Sequence, residues 1–143
     1  MEAVGRWLAL DYGEKRVGVA ISDALGLMAH PLPFIPHTPA LLADINQLII
    51  QYEVVGLLVG VPITLSGSDS QQTQRVRVFI NHLQQELNVP VQGIDERLST
   101  VAATKGLLHL NGKQRRQRVD SESAAFVLQG FLDAQSHHRS KGS

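Results

Sequence analysis

The chain contains no cysteine. That excludes a disulfide scaffold, a thiolate zinc site, an iron–sulfur centre and a cysteine nucleophile. Net charge is missing too, since 13 Lys and Arg balance 13 Asp and Glu. Bulk charge therefore gives no argument for a nucleic-acid partner. Aromatic residues are few, at 5%. No apolar run approaches the roughly 18 residues that a membrane-spanning helix needs, so no membrane partner is expected. The opening MEAVGRWLALDYG has neither a basic stretch nor a small-residue cleavage site. No signal peptide is expected, and a cytoplasmic location is the default expectation.

What is there is ordinary globular material: 43% hydrophobic and 18% charged residues, which argues against disorder. A length of 143 residues suits one domain, expected over 1–135, with a flexible polar tail over 136–143. Such a chain buries roughly two-thirds of its unfolded surface. Its charge is unevenly spread. Residues 1–72 hold 3 Lys/Arg against 7 Asp/Glu, and residues 73–143 hold 10 against 6. Lys113, Arg115, Arg116 and Arg118 crowd into six positions. Such a run is either a phosphate-attracting patch or a solvated loop, and charge alone leaves both open.

Trp7 to Asp11 is short and apolar and reads as a buried strand. Asp11-Tyr12-Gly13 turns the chain, and the β-branched run Arg16 to Ser22 returns as a hairpin partner. Ala29 to Pro36 carries three prolines and suits an edge strand or extended segment. Thr38-Pro39 reads as a helix start, an N-cap followed by proline. Leu41, Leu42, Ile45, Leu48 and Ile49 follow with helical spacing. Val54 to Val61 is nearly all apolar and fits a central strand covered on both faces. Pro62 to Ser70 is a loop, Gln72 to Leu87 a helix, and Val89 to Ile94 a strand. A helix over 100–110, a basic loop over 111–118 and a last helix over 120–135 complete the chain. The class is α/β, with an opening antiparallel meander and a mixed central sheet.

Acidic residues at strand ends are the first chemical clue. Asp11 ends the first strand, and Asp95 and Glu96 end the last. Ligand sites in open α/β sheets gather there. Asp11 is equally at home as a turn residue, since Asp-x-Gly is common turn chemistry. Asp120 is either a helix cap or a carboxylate aimed at the sheet. Ala124, Leu128, Phe131 and Gln135 continue the helix face beneath it, and that face is mostly apolar. Several carboxylates converging on one cleft suit a hard divalent cation such as Mg²⁺ or Mn²⁺. A pair of such ions can activate a water and stabilise the leaving oxygen of a phosphodiester. Salt bridges to Lys15, Arg16 and Arg97 are the plainer reading of the same acids.

The six histidines form no ligand pair at helical spacing, so a histidine metal site is not expected. There is no G-x-S-x-G elbow and no G-x-x-x-x-G-K-[ST] loop, which excludes those hydrolase and NTPase classes.

LALDYGEKRVGVAISD, GVPITLSGS, DERLST and VDSESAAFVLQGFLD occur in that order. Together they resemble the YqgF family, also called RuvX, over roughly residues 6–133. The resemblance implies an RNase H-like fold: a mixed five-stranded sheet flanked by helices, related to the RuvC Holliday junction resolvase. It implies a metal-dependent nuclease of the two-metal-ion type. The substrate would be structured RNA, the 5′ end of precursor 16S ribosomal RNA, in ribosome biogenesis. The alternatives are a resolvase-like endonuclease acting on branched DNA and a non-catalytic ribosome-assembly module that binds nucleic acid or ribosomal components. A monomer or a weak homodimer is expected.

By motif match, Asp11 is the first-strand metal ligand and Asp120 the last-helix ligand, with the acid between them drawn from Asp95 or Glu96. Those two point to opposite faces if the strand runs through both. Gly13, Lys15 and Arg16 would shape the first turn and approach phosphates. Arg97, Lys113, Arg115, Arg116 and Arg118 would position the nucleic-acid backbone. The resolvase relatives carry a glutamate at the end of the strand that here reads VVGLLVGVP. This chain has Gly60-Val61-Pro62 instead, so either DER supplies the missing ligand or the metal site is incomplete.

Overall fold

A computed structural model describes residues 5–62, 70–96 and 121–135. Strands β1 (Arg6–Asp11), β2 (Arg16–Ser22) and β3 (Ala29–Pro36) form the opening meander. Helix α1 (Leu41–Tyr52), strand β4 (Val54–Val61), helix α2 (Gln71–Glu86) and strand β5 (Val91–Asp95) follow. A third described helix, α3, covers residues 121–135. The expected helix over 100–110, the basic loop over 111–118 and the tail lie outside the described residues.

The five strands make one sheet in the order β3-β2-β1-β4-β5. β1 pairs antiparallel with β2 and parallel with β4, and β4 pairs parallel with β5. The sheet is therefore mixed, as the meander followed by βαβ units requires. The proline-bearing β3 lies at the edge, where a missing N–H does least harm.

Alternation along each strand divides the core into two layers. Leu8, Leu10, Val17, Val19, Leu57, Val59 and Val61 face α1 and α2, packing with Leu41, Ile45, Val76 and Leu83. Trp7, Ala9, Ala20 and Leu58 face α3, against Ala124, Ala125, Leu128 and Leu132. The second layer sets alanines on both sides, Ala9 and Ala20 on the sheet and Ala124 and Ala125 on the helix, among the larger Trp7, Leu58, Leu128 and Leu132. Trp7 fits because Gly56 has no side chain: a Cβ there would stand 2.5 Å from the indole. The indole leans on Phe131 with ring centroids 4.7 Å apart.

Helix α3 is also tied to the sheet by polar bonds. Val17 pairs with Ile35 and Val19 with Leu32, so Pro33 and Phe34 stand against the single residue Gly18, a bulge in β3. The Ser121 hydroxyl is spliced into the ladder at that point. It accepts from the Val19 N–H at 3.3 Å and donates to the Leu32 carbonyl at 2.7 Å. Two turns on, Gln129 accepts from the Ala29 N–H and donates to the Leu27 carbonyl, both at 2.9 Å.

Four elements differ from expectation at their ends. Strand β1 starts one residue earlier, at Arg6. Helix α1 starts at Leu41 with Ala40 as its cap residue and no side-chain cap. Thr38 instead closes a turn before the helix, accepting from the Ala40 N–H on its hydroxyl and from the Leu41 N–H on its carbonyl. Helix α2 runs one residue earlier at both ends, because the Ser70 hydroxyl caps it by accepting from the Thr73 N–H. Strand β5 begins at Val91, after Pro90, and extends through Asp95, which pairs with Val61.

Candidate active site

The carboxyl ends of β1, β4 and β5 lie side by side, and the β1–β2 turn stands beside them. Gly13 is forced in that turn: a Cβ there would sit 2.4 Å from the Arg16 carbonyl oxygen. The Gly13 carbonyl accepts from Nδ1 of His37 at 2.7 Å, and the Lys15 carbonyl accepts from the His37 N–H at 2.9 Å. Tyr12 packs its ring between His37 and Phe79, at 5.1 and 4.7 Å. Glu14 pairs with Arg75 at the surface, an exposed contact of little energy. The turn is thus clamped onto the α1 and α2 side.

That clamp commits Asp11 to the other side. Trp7 and Ala9 face α3, and Asp11 continues their alternation onto the same face. It is paired with Gly18 of β2. On β4 it stands one step beyond the Leu10–Val59 pair, level with Gly60. The half-buried Asp11 therefore has a glycine on either side of it in the sheet.

The two acids at the end of β5 separate. Asp95 lines a cavity with Val61, Arg77, Ile80 and Asn81, on the α2 side. Glu96 lies on the α3 side, draped over β4, with its Cγ 2.8 Å from where a Gly60 Cβ would be. The opposite-face expectation is met, and Glu96 is the acid that shares the face of Asp11. Among the described residues no three His, Asp or Glu side chains form a metal-ligating group. Asp120, the expected third acid, lies outside the described residues.

Of the expected phosphate-approaching residues, Lys15 is exposed at the turn. The guanidinium of Arg16 lies 5.1 Å from the ring centre of the partly exposed Phe34, within cation–π range. Arg97, Lys113, Arg115, Arg116 and Arg118 lie outside the described residues. Sequence reasoning missed Ser121 and Gly60. Ser121 had an indirect signal, since prolines in β3 foretell a broken ladder that another donor and acceptor must mend. Gly60 stood out in sequence only as the place where the resolvase relatives carry an acid, because its use as a gap depends on which acid crosses it.

A mixed sheet in this order, with an acid closing its central strand and a helix over the same face, defines an RNase H-like protein. The solved structures agree on the fold. T. thermophilus RuvC in complex with Holliday junction substrate matches with a TM-score of 0.58 at 14% identity, covering 92% of this chain and 96% of that one. The fowlpox virus Holliday junction resolvase matches with a TM-score of 0.51 at 12% identity, covering 90% and 99%. The family model described as "RuvX: Holliday junction resolvase" matches residues 5–134, and the chain belongs to the RuvX family. A Roseiflexus protein named "Putative pre-16S rRNA nuclease" is 42% identical over 135 residues, 92% of this chain and 96% of its own. A Moorella thermoacetica protein of the same name is 44% identical over 132 residues, 90% of this chain and 94% of its own.

Proposed function

We propose that this chain is a nuclease that hydrolyses phosphodiester bonds in precursor 16S ribosomal RNA, with a divalent cation held by Asp11, Glu96 and Asp120. The observation that carries the reading is the shared face of Asp11 and Glu96, with the side-chain-free Gly60 between them. The donor set fits the group, since carboxylate oxygens are what Mg²⁺ and Mn²⁺ prefer. Glu96 fills the space over Gly60, which puts its carboxylate on the face of Asp11. When bound, divalent ions supply an activated water and charge stabilisation for the departing 3′ oxygen.

The chain's own residues do the rest. Asp11 presents its carboxylate from the central strand of the sheet, paired on both sides. Glu96 brings a second carboxylate across β4, and Ser121 fixes the start of α3 beside the bulge. Lys15 and Arg16 meet the sugar-phosphate backbone at the rim of the turn. Asp95 faces away from this site and is not a ligand. The family description and the RuvC-like fold favour a second reading, cleavage of four-way DNA junctions.

The test is cleavage of end-labelled precursor 16S RNA and a four-way DNA junction by the purified chain, in Mn²⁺ and in EDTA. Metal-dependent cutting of the RNA supports the proposal. Cutting of the junction alone transfers it to the resolvase reading. RNA binding in both conditions, with neither substrate cut in Mn²⁺, refutes the nuclease assignment.

A further inference from the structure

A glycine inside a buried strand is costly unless something needs the space. Gly60 sits between Val59 and Val61, both buried, in the strand covered on both faces. Its backbone does not explain it, because its φ lies outside the left-handed region that favours glycine. The space does. The three heavy atoms nearest to a built Cβ at Gly60 all belong to Glu96: Cγ at 2.8 Å, Cδ at 3.2 Å and Oε1 at 3.2 Å.

Strand spacing shows what this close approach achieves. Asp11 is on β1 and Glu96 follows β5, with β4 between them. Neighbouring strands lie about 4.8 Å apart, so these two backbones are separated by roughly 10 Å. Oxygens that share one Mg²⁺-sized ion at about 2.1 Å each must come within about 4 Å of one another. A glutamate after β5 closes that gap only by lying across β4. A side chain at residue 60 on that face would block its path.

We propose that Gly60 is a positioning residue: its missing side chain is the channel through which Glu96 reaches the face of Asp11. This rests on the reading of Glu96 as a metal ligand. An alanine at residue 60 keeps the strand backbone but lifts the Glu96 carboxylate off the sheet. The three atoms nearest to the added methyl group belong to Glu96, so its effect on the metal runs through Glu96.

The experiment measures Mn²⁺ binding to the EDTA-stripped full chain from the free-Mn²⁺ paramagnetic resonance signal. Melting curves of the same samples accompany it. Gly60→Ala is expected to weaken Mn²⁺ binding about 10-fold, at the low end for disturbing groups that orient metal ligands. Glu96→Gln is expected to weaken it at least as much. In the Glu96→Ala background, Gly60→Ala should cost no further affinity, because the atoms it crowds are gone. Wild-type Mn²⁺ affinity in Gly60→Ala, with affinity lost in Glu96→Gln, overturns the role of Gly60. Wild-type affinity in Glu96→Gln overturns the ligand reading beneath it instead. If Gly60→Ala fails to fold, the Gly60→Ala/Glu96→Ala pair decides. A restored melt supports crowding by Glu96, and a persistent failure refutes it.

Discussion

Ser121→Ala removes one oxygen and breaks two bonds. The hydroxyl accepts from the Val19 N–H and donates to the Leu32 carbonyl, and Ser121 is only 6% exposed. Val19 is fully buried, so its N–H has no water to turn to. A buried donor left unsatisfied costs about 1–3 kcal/mol. The Leu32 carbonyl belongs to a half-buried residue on the edge strand and recovers part of its loss from solvent. The sum is about 2–3 kcal/mol. For a chain of this length that lowers the melting temperature by roughly 6–9 °C. The assay is thermal unfolding followed by circular dichroism, with Ser121→Thr beside it. Threonine keeps the hydroxyl and should recover part of the loss, limited by the fit of its extra methyl group. A Ser121→Ala melt within a degree of wild type would refute the splice. Equal losses in both variants would show that side-chain volume at this site, and not the hydroxyl, is what matters.

Other outcomes follow from single positions. Gly130 lies exposed within α3 with nothing within 4 Å of a built Cβ, so Gly130→Ala should stabilise the chain by up to about 1 kcal/mol, read by urea unfolding. Glu53 ends α1 in the left-handed region at φ 53°, and Glu53→Gly should raise stability by about 1 kcal/mol in the same measurement. The Leu27 N–H, donating to the Asp23 carboxylate at 2.8 Å, holds its pKa below the usual value, with further help from Met28, Gly26 and His30. A lowered pKa means that Asp23 contributes its stability above the ordinary carboxylate range, near about 4, and loses it as pH falls below that through the folded value. An acid-unfolding series should therefore show a shallower decline below about pH 4 in Asp23→Asn than in the parent.

Much of the fold is legible in the residues because period and punctuation agree. The run Val54 to Val61 is apolar at nearly every position, and it became the strand buried on both faces. Three prolines in Ala29 to Pro36 marked the edge. Alternation placed Asp95 and Glu96 on opposite faces but could not say which face held Asp11's partner, because that depends on the order of strands in space. Sheet order is a tertiary fact, set by right-handed crossovers and by which helix covers which face. The cap of α1 was misplaced because Thr38 can satisfy a backbone donor in a turn as readily as at a helix start. The Ser121 splice joins residues 102 apart in sequence, far beyond the reach of any local pattern.

The central claim is that Asp11 and Glu96, and not Asp95, form the metal-binding face of a nuclease. Cleavage of precursor 16S RNA in Mn²⁺ by Asp11→Asn, Glu96→Gln and Asp95→Asn, each shown to melt like the parent, tests it most directly. The account predicts losses of at least about 100-fold for the first two, with Asp95→Asn within a few-fold of the parent. Full activity in Asp11→Asn or Glu96→Gln, or a loss confined to Asp95→Asn, would contradict it.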